Sequence, residues 1–508
     1  MLNNPTLTPA ANSLNPATNT ASPIASTLPT SRPISNPIAP NLTPNLNPKN
    51  PAPNPTLSPT SPAKLSPAPN LKPHRAKSQQ NKPHTPTRAQ STTIKRLFKS
   101  LLLDFALYRS RTQKTSRKLD IIDLFFCLIA ALSLGVLALM VGELSLSDRE
   151  VKNFFNDPHL FFSLMRYLAE SFGQNDFTLK LPLLFLHFLN LNLLYGISRH
   201  MLKHKSDSLI CVLIYALLPG VNLGALFLVE SSWITFFSLL VGYIYVRYKT
   251  LPLLLLSLLA LLSPGAMVLL LGIGIFTLKH QRIKTFLFCM VGAGLNFYLF
   301  DFDVGGRPET YFLGTLGRIA MLYSPLLFLY YAYSIYWGLR QKDNLLAYIS
   351  ATSIAFCIIL SLRQNINFYI LIPQSLLALP VMLQCFLNDL RVRLPQFRKG
   401  HYIFAGLVLV LLLAQSGILL GNKITYLFSP KPNFASSYYF AKEIASELKA
   451  RKIVAIHTPS TALRTQLRFY GIGDSKTLSL LPTYPSKKAD ISIAYNGRII
   501  SSFSIKAR

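Results

Sequence analysis

The sequence predicts a polytopic α-helical membrane protein of about eleven spans, with a disordered N-terminal arm and a small C-terminal α/β domain. Half of the 508 residues are hydrophobic, 14% are charged and the mean hydropathy is +0.33, which is too apolar for a soluble globular chain of this length. Apolar stretches long enough to cross a bilayer recur between positions 121 and 420. The formal net charge of +31 resides mainly in the N-terminal arm and in short turns between those stretches. That is the positive-inside distribution of a membrane protein, and it argues against a nucleic-acid partner. The five cysteines, Cys127, Cys211, Cys289, Cys357 and Cys385, lie in apolar stretches with no CxxC pair, so neither a zinc ribbon nor a disulfide frame is expected.

Residues 1–93 are rich in Asn, Pro, Thr, Ser and Ala and contain no Asp or Glu. Such a segment cannot bury enough apolar surface to offset its ordering entropy and is expected to be a disordered cytoplasmic arm. No cleavable signal peptide precedes the first apolar stretch, so that stretch is expected to act as the insertion signal. Residues 94–119 form a basic amphipathic juxtamembrane segment, with Lys95, Arg96, Lys99, Arg109, Arg111, Lys114, Arg117 and Lys118. It reads as an interfacial helix on anionic membrane lipids and sets the N-terminus in the cytoplasm.

The membrane domain is expected over 120–429. Its first span, near 121–142, delivers the most acidic part of the chain, running from Val141 to Pro182, to the far side. Apolar residues at helical spacing within this loop, from Val151 to Phe172, predict one or two surface helices parted by Pro158. A second span is read at 181–198. A third begins near Ser208 and breaks at Pro219-Gly220, and a fourth ends at Arg247 and Lys249. Residues 252–278 are apolar around Ser263-Pro264-Gly265 but basic on both flanks, which predicts a hairpin of two short helices. Further spans are expected near 285–300, 318–338, 345–362, 369–387 and 403–420, which leaves residues 430–508 as a periplasmic α/β domain. In that domain helices are expected near 436–450 and 459–469, and strands at KIVAIH, LSLL, ADISIAY and RIISSFSI.

This topology puts the basic turns on one side and Asp148, Glu150, Glu230 and Arg363 on the other. The run SDREVKNFFN, followed by FGQNDFTLKLP and an apolar helix, resembles the first exoplasmic loop of C-type (GT-C fold) glycosyltransferases, the family of protein O-mannosyltransferases and lipid A aminoarabinose transferases. FLVESSWITFF, LSPGAMVLLLG and RQNINFYILIPQSLLALPVML are similar, in order, to later segments of that family. The resemblance covers about 120–430. Lys180 stands where Arg is common before Leu-Pro, Glu230 where Asp is usual, and Ser263 where Lys is often seen.

The resemblance implies a membrane-embedded transferase of the bacterial inner membrane. It would move a sugar from a polyprenyl-phosphate donor to a lipid, glycan or protein acceptor of the envelope on the periplasmic face, with no cofactor. Asp148 is then the candidate base, and Glu150 and Glu230 would orient the acceptor and sugar or support an oxocarbenium-like transition state. Arg149, Lys180, Arg307 and Arg363 would hold the phosphate, with Tyr369 beside them. No metal ligand set is indicated. Taken one at a time, the acidic residues could equally be solvated loop charges, and Glu230 a helix cap. A transporter or lipid-linked sugar flippase, or a non-catalytic scaffold, is the alternative. Transporters usually show two related halves, and no such internal repeat is visible.

Overall fold

The computed structural model describes residues 120–302, 305, 311–427, 436–484 and 489–507. The arm, the basic juxtamembrane segment and Arg307 lie outside the described residues.

The described chain is predominantly helical. α1 (Ile121–Glu143) leads to two short helices, α2 (Asp148–Asn156) and α3 (Leu160–Phe172), and then to the long α4 (Asp176–Met201). Pro158 separates α2 from α3, where its missing N–H would interrupt a continuous helix. α5 (Lys205–Leu217) and α6 (Pro219–Leu226) meet at a 60° bend, with Pro219 at the first position of α6, where a missing N–H costs nothing. α7 (Ser231–Tyr248) follows.

Two short helices, α8 (Leu253–Leu262) and α9 (Ala266–Lys279), stand where a hairpin is expected, and α10 (Ile283–Leu299) packs on α9. Buried Asn296 of α10 serves the break between α8 and α9. Its amide donates to the carbonyls of Ala260 (2.7 Å) and Ser263 (2.9 Å), and its oxygen accepts from Met267 N–H (3.1 Å). Backbone groups freed by the Ser-Pro-Gly interruption are thereby paired in an apolar setting.

The stretch read as one span near 318–338 is in fact two helices, α11 (Tyr311–Tyr323) and α12 (Pro325–Trp337), bent by 96°. Pro325 starts the second helix, and Ser324 has φ 71°, a left-handed conformation that ends the first. α13 (Leu345–Leu360), α14 (Phe368–Leu371), a 3₁₀ turn (Pro373–Ala378), α15 (Leu379–Val392) and α16 (Pro395–Leu420) complete the helical part.

Among the described residues, four stretches are long and apolar enough to cross a membrane, 121–143, 176–201, 368–392 and 395–420, and the two bent pairs raise this to six. The remaining apolar helices of this part, α8, α9, α10 and α13, are shorter, at 10–17 residues. The expectation of about eleven crossings therefore counts helices too short to span alone without help from their neighbours.

α9 and α13 approach closely because Gly272 has no side chain: a Cβ there would stand 2.7 Å from Ile349 Cα. Backbone cannot swing aside as a side-chain tip can. Gly272→Ala should therefore destabilise the protein by about 1–3 kcal/mol, read as a lower melting temperature in detergent.

The C-terminal residues form α17 (Ala441–Ala450), α18 (Thr461–Phe469) and a three-stranded antiparallel sheet of β1 (Leu478–Thr483), β2 (Ile491–Tyr495) and β3 (Arg498–Ala507), in the order β1-β3-β2. KIVAIH, expected to be a strand, makes only isolated bridges, Ala455 to Gly473 and His457 to Ser479. The apolar core of this region, including Ile444, Leu448, Ile491 and Ile493, is continuous with Leu137, Val141 and Leu144 at the end of α1 and with Ala225 and Leu226 of α6. A second cluster joins Val151, Phe154, Phe161 and Met165 of the loop helices to Leu179 and Leu183 of α4 and Phe469 of α18. The loop helices are thus fixed from both sides.

Candidate functional site

The site grows from the turn between α1 and α2. Ser147 caps α2 in a reciprocal capping box: its hydroxyl receives the Glu150 N–H at 3.4 Å, and Glu150 Oε2 receives the Ser147 N–H at 2.8 Å. The Ser147 hydroxyl also donates to Oε2 at 2.7 Å. This uses the first-turn preference for carboxylates and satisfies two orphan donors at once. The other oxygen, Oε1, accepts from Leu228 N–H at 2.5 Å, which draws the turn after α6 against α2. Glu150 is buried and both its oxygens are engaged.

That turn carries Glu230, 6% exposed, immediately before α7. Its carboxylate lies 3.3 Å from Nδ1 of His159, and the same nitrogen is 3.2 Å from Oδ1 of Asp157. The Asp157 carboxylate also accepts from the His159 N–H at 3.0 Å, fixing the ring at the start of α3. The hydrogen bond to Glu230 raises the His159 pKa above its ordinary 6.5, and partial burial offsets part of that rise. A folded value above the unfolded one means that the pair's contribution is complete below pH 6.5 and is lost as pH rises through the raised value. The melting temperature of the wild type, measured against Glu230→Gln, should therefore decline across that window. A constant difference from acid to alkaline pH would mean that the pair adds no pH-dependent stability.

Around these groups lies a polar chamber of about 120 Å3, lined by Arg149, Glu150, Asp157, His159, Glu230 and Tyr438 among others. Next to it lies a larger cavity of about 760 Å3, lined largely by apolar side chains, including Leu223, Met321, Leu322, Ile372 and Leu376, together with Gly220, Gly314 and Gly317. Arg149, Asn367 and Tyr369 line both, so they stand where the two meet. Arg318 also lines the larger cavity; it donates to Asn365 Oδ1 at 3.3 Å and lies over the Phe368 ring at 5.5 Å. Among the described residues no carboxylate pairs with Arg149 or Arg318. Two guanidinium groups left free of carboxylates beside an apolar cavity suit an anionic headgroup on a long apolar chain.

The other residues singled out in the sequence are distributed unevenly. Asp148 lines neither cavity; its carboxylate is on Lys152 Nζ at 3.2 Å and its side chain is 32% exposed. Lys180 is buried, donates to the Leu144 carbonyl at 3.0 Å and feels the charges of Glu150 and Asp176. Arg363 is exposed just beyond α13 and lines neither cavity. Sequence reasoning missed His159, Asp157, Arg318 and Tyr438. His159 had one available signal, as the lone histidine of the acidic loop. No group of three or more His, Cys, Asp or Glu side chains able to hold a metal occurs among the described residues.

No family model matches the sequence, and no curated protein matches it. Solved structures similar in fold include ArnT from Cupriavidus metallidurans in the apo state, at 11% identity and TM-score 0.42, and the same protein bound to undecaprenyl phosphate, at 10% identity and TM-score 0.43. Each alignment covers 74% of this chain and 97% of the other.

Proposed function

We propose that the protein transfers a sugar from a polyprenyl-phosphate donor to an envelope acceptor within the chamber between α2, α3 and the α6–α7 turn. One observation carries this reading: a carboxylate-lined polar chamber adjoins an apolar cavity, and an arginine free of carboxylate partners stands at their junction. The prenyl chain lies along the apolar cavity, Arg149 and Arg318 hold the phosphate, and the sugar reaches toward Glu230.

The acceptor hydroxyl or amine attacks the anomeric carbon while the bond from that carbon to the phosphate oxygen breaks. The acceptor's proton passes to the Glu230 carboxylate, and the polyprenyl phosphate departs with the bonding electron pair. General-base help of this kind is worth about 10² to 10⁴ in rate. The phosphate needs no protonation to leave, so guanidinium charge suffices on that side. Asp157 and His159 set the Glu230 carboxylate, and Glu150 holds the loop together through its capping box and Leu228. Asp148, at the start of α2, pairs with Lys152 and lines neither cavity, which supports a contact to acceptor over a role as base. In this reading the chamber faces the periplasm and the N-terminus the cytoplasm.

The test uses the purified chain in nanodiscs with a radiolabelled polyprenyl-phosphate sugar and extracted envelope lipids, glycans and proteins as acceptors. Transfer of label to any of these classes, slowed about 100-fold or more in Glu230→Gln, is the expected result. Movement of the intact lipid-linked sugar between leaflets with no transfer would instead support the flippase alternative.

A further inference from the structure

The polar chamber is lined in part by a residue from far along the chain. Tyr438, in the short 3₁₀ turn Ser436–Tyr438, lines it and stacks on Phe227, with ring centroids 4.2 Å apart and planes 2° apart. The Tyr438 carbonyl accepts the Ser145 N–H at 2.9 Å, and its neighbour Ser437 accepts from Gln466 Nε2 at 2.8 Å. The same Gln466 amide donates to the Leu146 carbonyl at 2.7 Å. Leu146 N–H in turn donates to the Tyr470 hydroxyl at 3.2 Å, and that hydroxyl donates to Asp176 Oδ1 at 2.9 Å. Lys442 Nζ closes the network on Asp176 Oδ2 at 3.1 Å and also donates to the Gly142 carbonyl at 2.9 Å. Positions 142, 145 and 146 of the segment leading into the Ser147 cap are thus each gripped by a C-terminal side chain or carbonyl. Asp176 and Gln466 are buried, so these contacts are shielded from water, where hydrogen bonds are stronger and costlier to lose.

We infer that the C-terminal region is a working part of the transfer chamber: Tyr438 supplies a direct hydrogen bond to the donor's sugar, and Tyr470 is the positioning residue that holds the turn bearing Arg149 and Glu150. This rests on the transferase reading above. Burial holds the Tyr438 phenol above its ordinary value of 10, so it remains a neutral O–H donor across the working pH range. A hydroxyl donor beside carboxylate acceptors is the combination that recognises a polyol ring, because sugar hydroxyls both donate and accept. The parallel Phe227–Tyr438 pair gives that wall a rigid aromatic body.

The test measures binding in nanodiscs of two lipids, a polyprenyl-phosphate sugar and the same polyprenyl phosphate without sugar. Tyr438→Phe should weaken the sugar-bearing lipid about tenfold and leave the sugar-free lipid unchanged, since the phosphate and chain are held elsewhere. Equal affinity of wild type and Tyr438→Phe for both lipids would overturn the sugar contact.

For Tyr470→Phe, hydrogen exchange should quicken at least about tenfold in peptides covering 144–150, with β2 and β3 unchanged. Unchanged exchange in 144–150 would overturn the positioning role. Gln466→Ala supplies the same readout if Tyr470→Phe fails to fold, and it too should loosen 144–150 and leave the strands unchanged. Exchange needs no turnover, and binding needs no acceptor. A wild type that binds the sugar-bearing lipid but transfers nothing therefore fails the transferase reading alone.

Discussion

Glu230→Gln is expected to lower the transfer rate about 100-fold or more while leaving the affinity for polyprenyl phosphate within about twofold. The substitution keeps the volume and one acceptor oxygen but removes the proton-accepting charge 3.3 Å from His159. Asp148→Asn is the matching control, because Asp148 also lies in the first loop but faces Lys152 outside the chamber. If Glu230 is the base, Asp148→Asn should change the acceptor KM more than kcat. A 100-fold loss of kcat in Asp148→Asn with a near-normal Glu230→Gln would return the role of base to Asp148. Glu150→Gln should behave differently from both. It disturbs a buried carboxylate that receives three hydrogen bonds, from Ser147 N–H, Ser147 Oγ and Leu228 N–H, so it should lower the melting temperature as well as the rate.

The elements that were legible in the sequence are those whose cause is local. Pro219 and the Ser263-Pro264-Gly265 run announce their breaks because missing N–H groups and flexible backbone act where they stand, and Pro158 parts α2 from α3 for the same reason. The bend at Ser324–Pro325 had the same signal, but the apolar run continues across it and reads as one span. The KIVAIH segment is a short run of β-branched and apolar residues, as in a buried strand, but it pairs only through single bridges, Ala455 to Gly473 and His457 to Ser479. Within the site, the Ser147–Glu150 spacing is a capping-box signature, so the structural use of Glu150 was available from four residues. The pairing of His159 with Glu230 was not, because it depends on Leu228 being drawn to Glu150, a contact made only when α6 and α2 come together. Tyr438 and Arg318 are hidden for the same reason: each reaches the cavities from a helix or turn whose place is set by packing and not by its own neighbours.

Arg149→Ala should weaken binding of sugar-free polyprenyl phosphate about 10- to 100-fold, the equivalent of losing a charge-assisted contact of about 1.5–3 kcal/mol. Arg149 lines both cavities and Arg318 the larger one, and neither pairs with a described carboxylate, so the phosphate is the natural countercharge for both. Arg149→Lys should recover only part of the loss, since an ammonium cannot reproduce bidentate pairing. Arg318→Ala should cost a similar or smaller factor, because part of that guanidinium's interaction is already spent on Asn365 and Phe368. Arg363→Ala should stay within about twofold of wild type, since a surface charge outside both cavities acts only through screened long-range attraction. Titration of nanodisc-embedded variants with polyprenyl phosphate distinguishes these outcomes. If Arg363→Ala weakened binding while Arg149→Ala and Arg318→Ala did not, the phosphate would have to lie at the far end of α13 and the junction of the two cavities would not be the donor site.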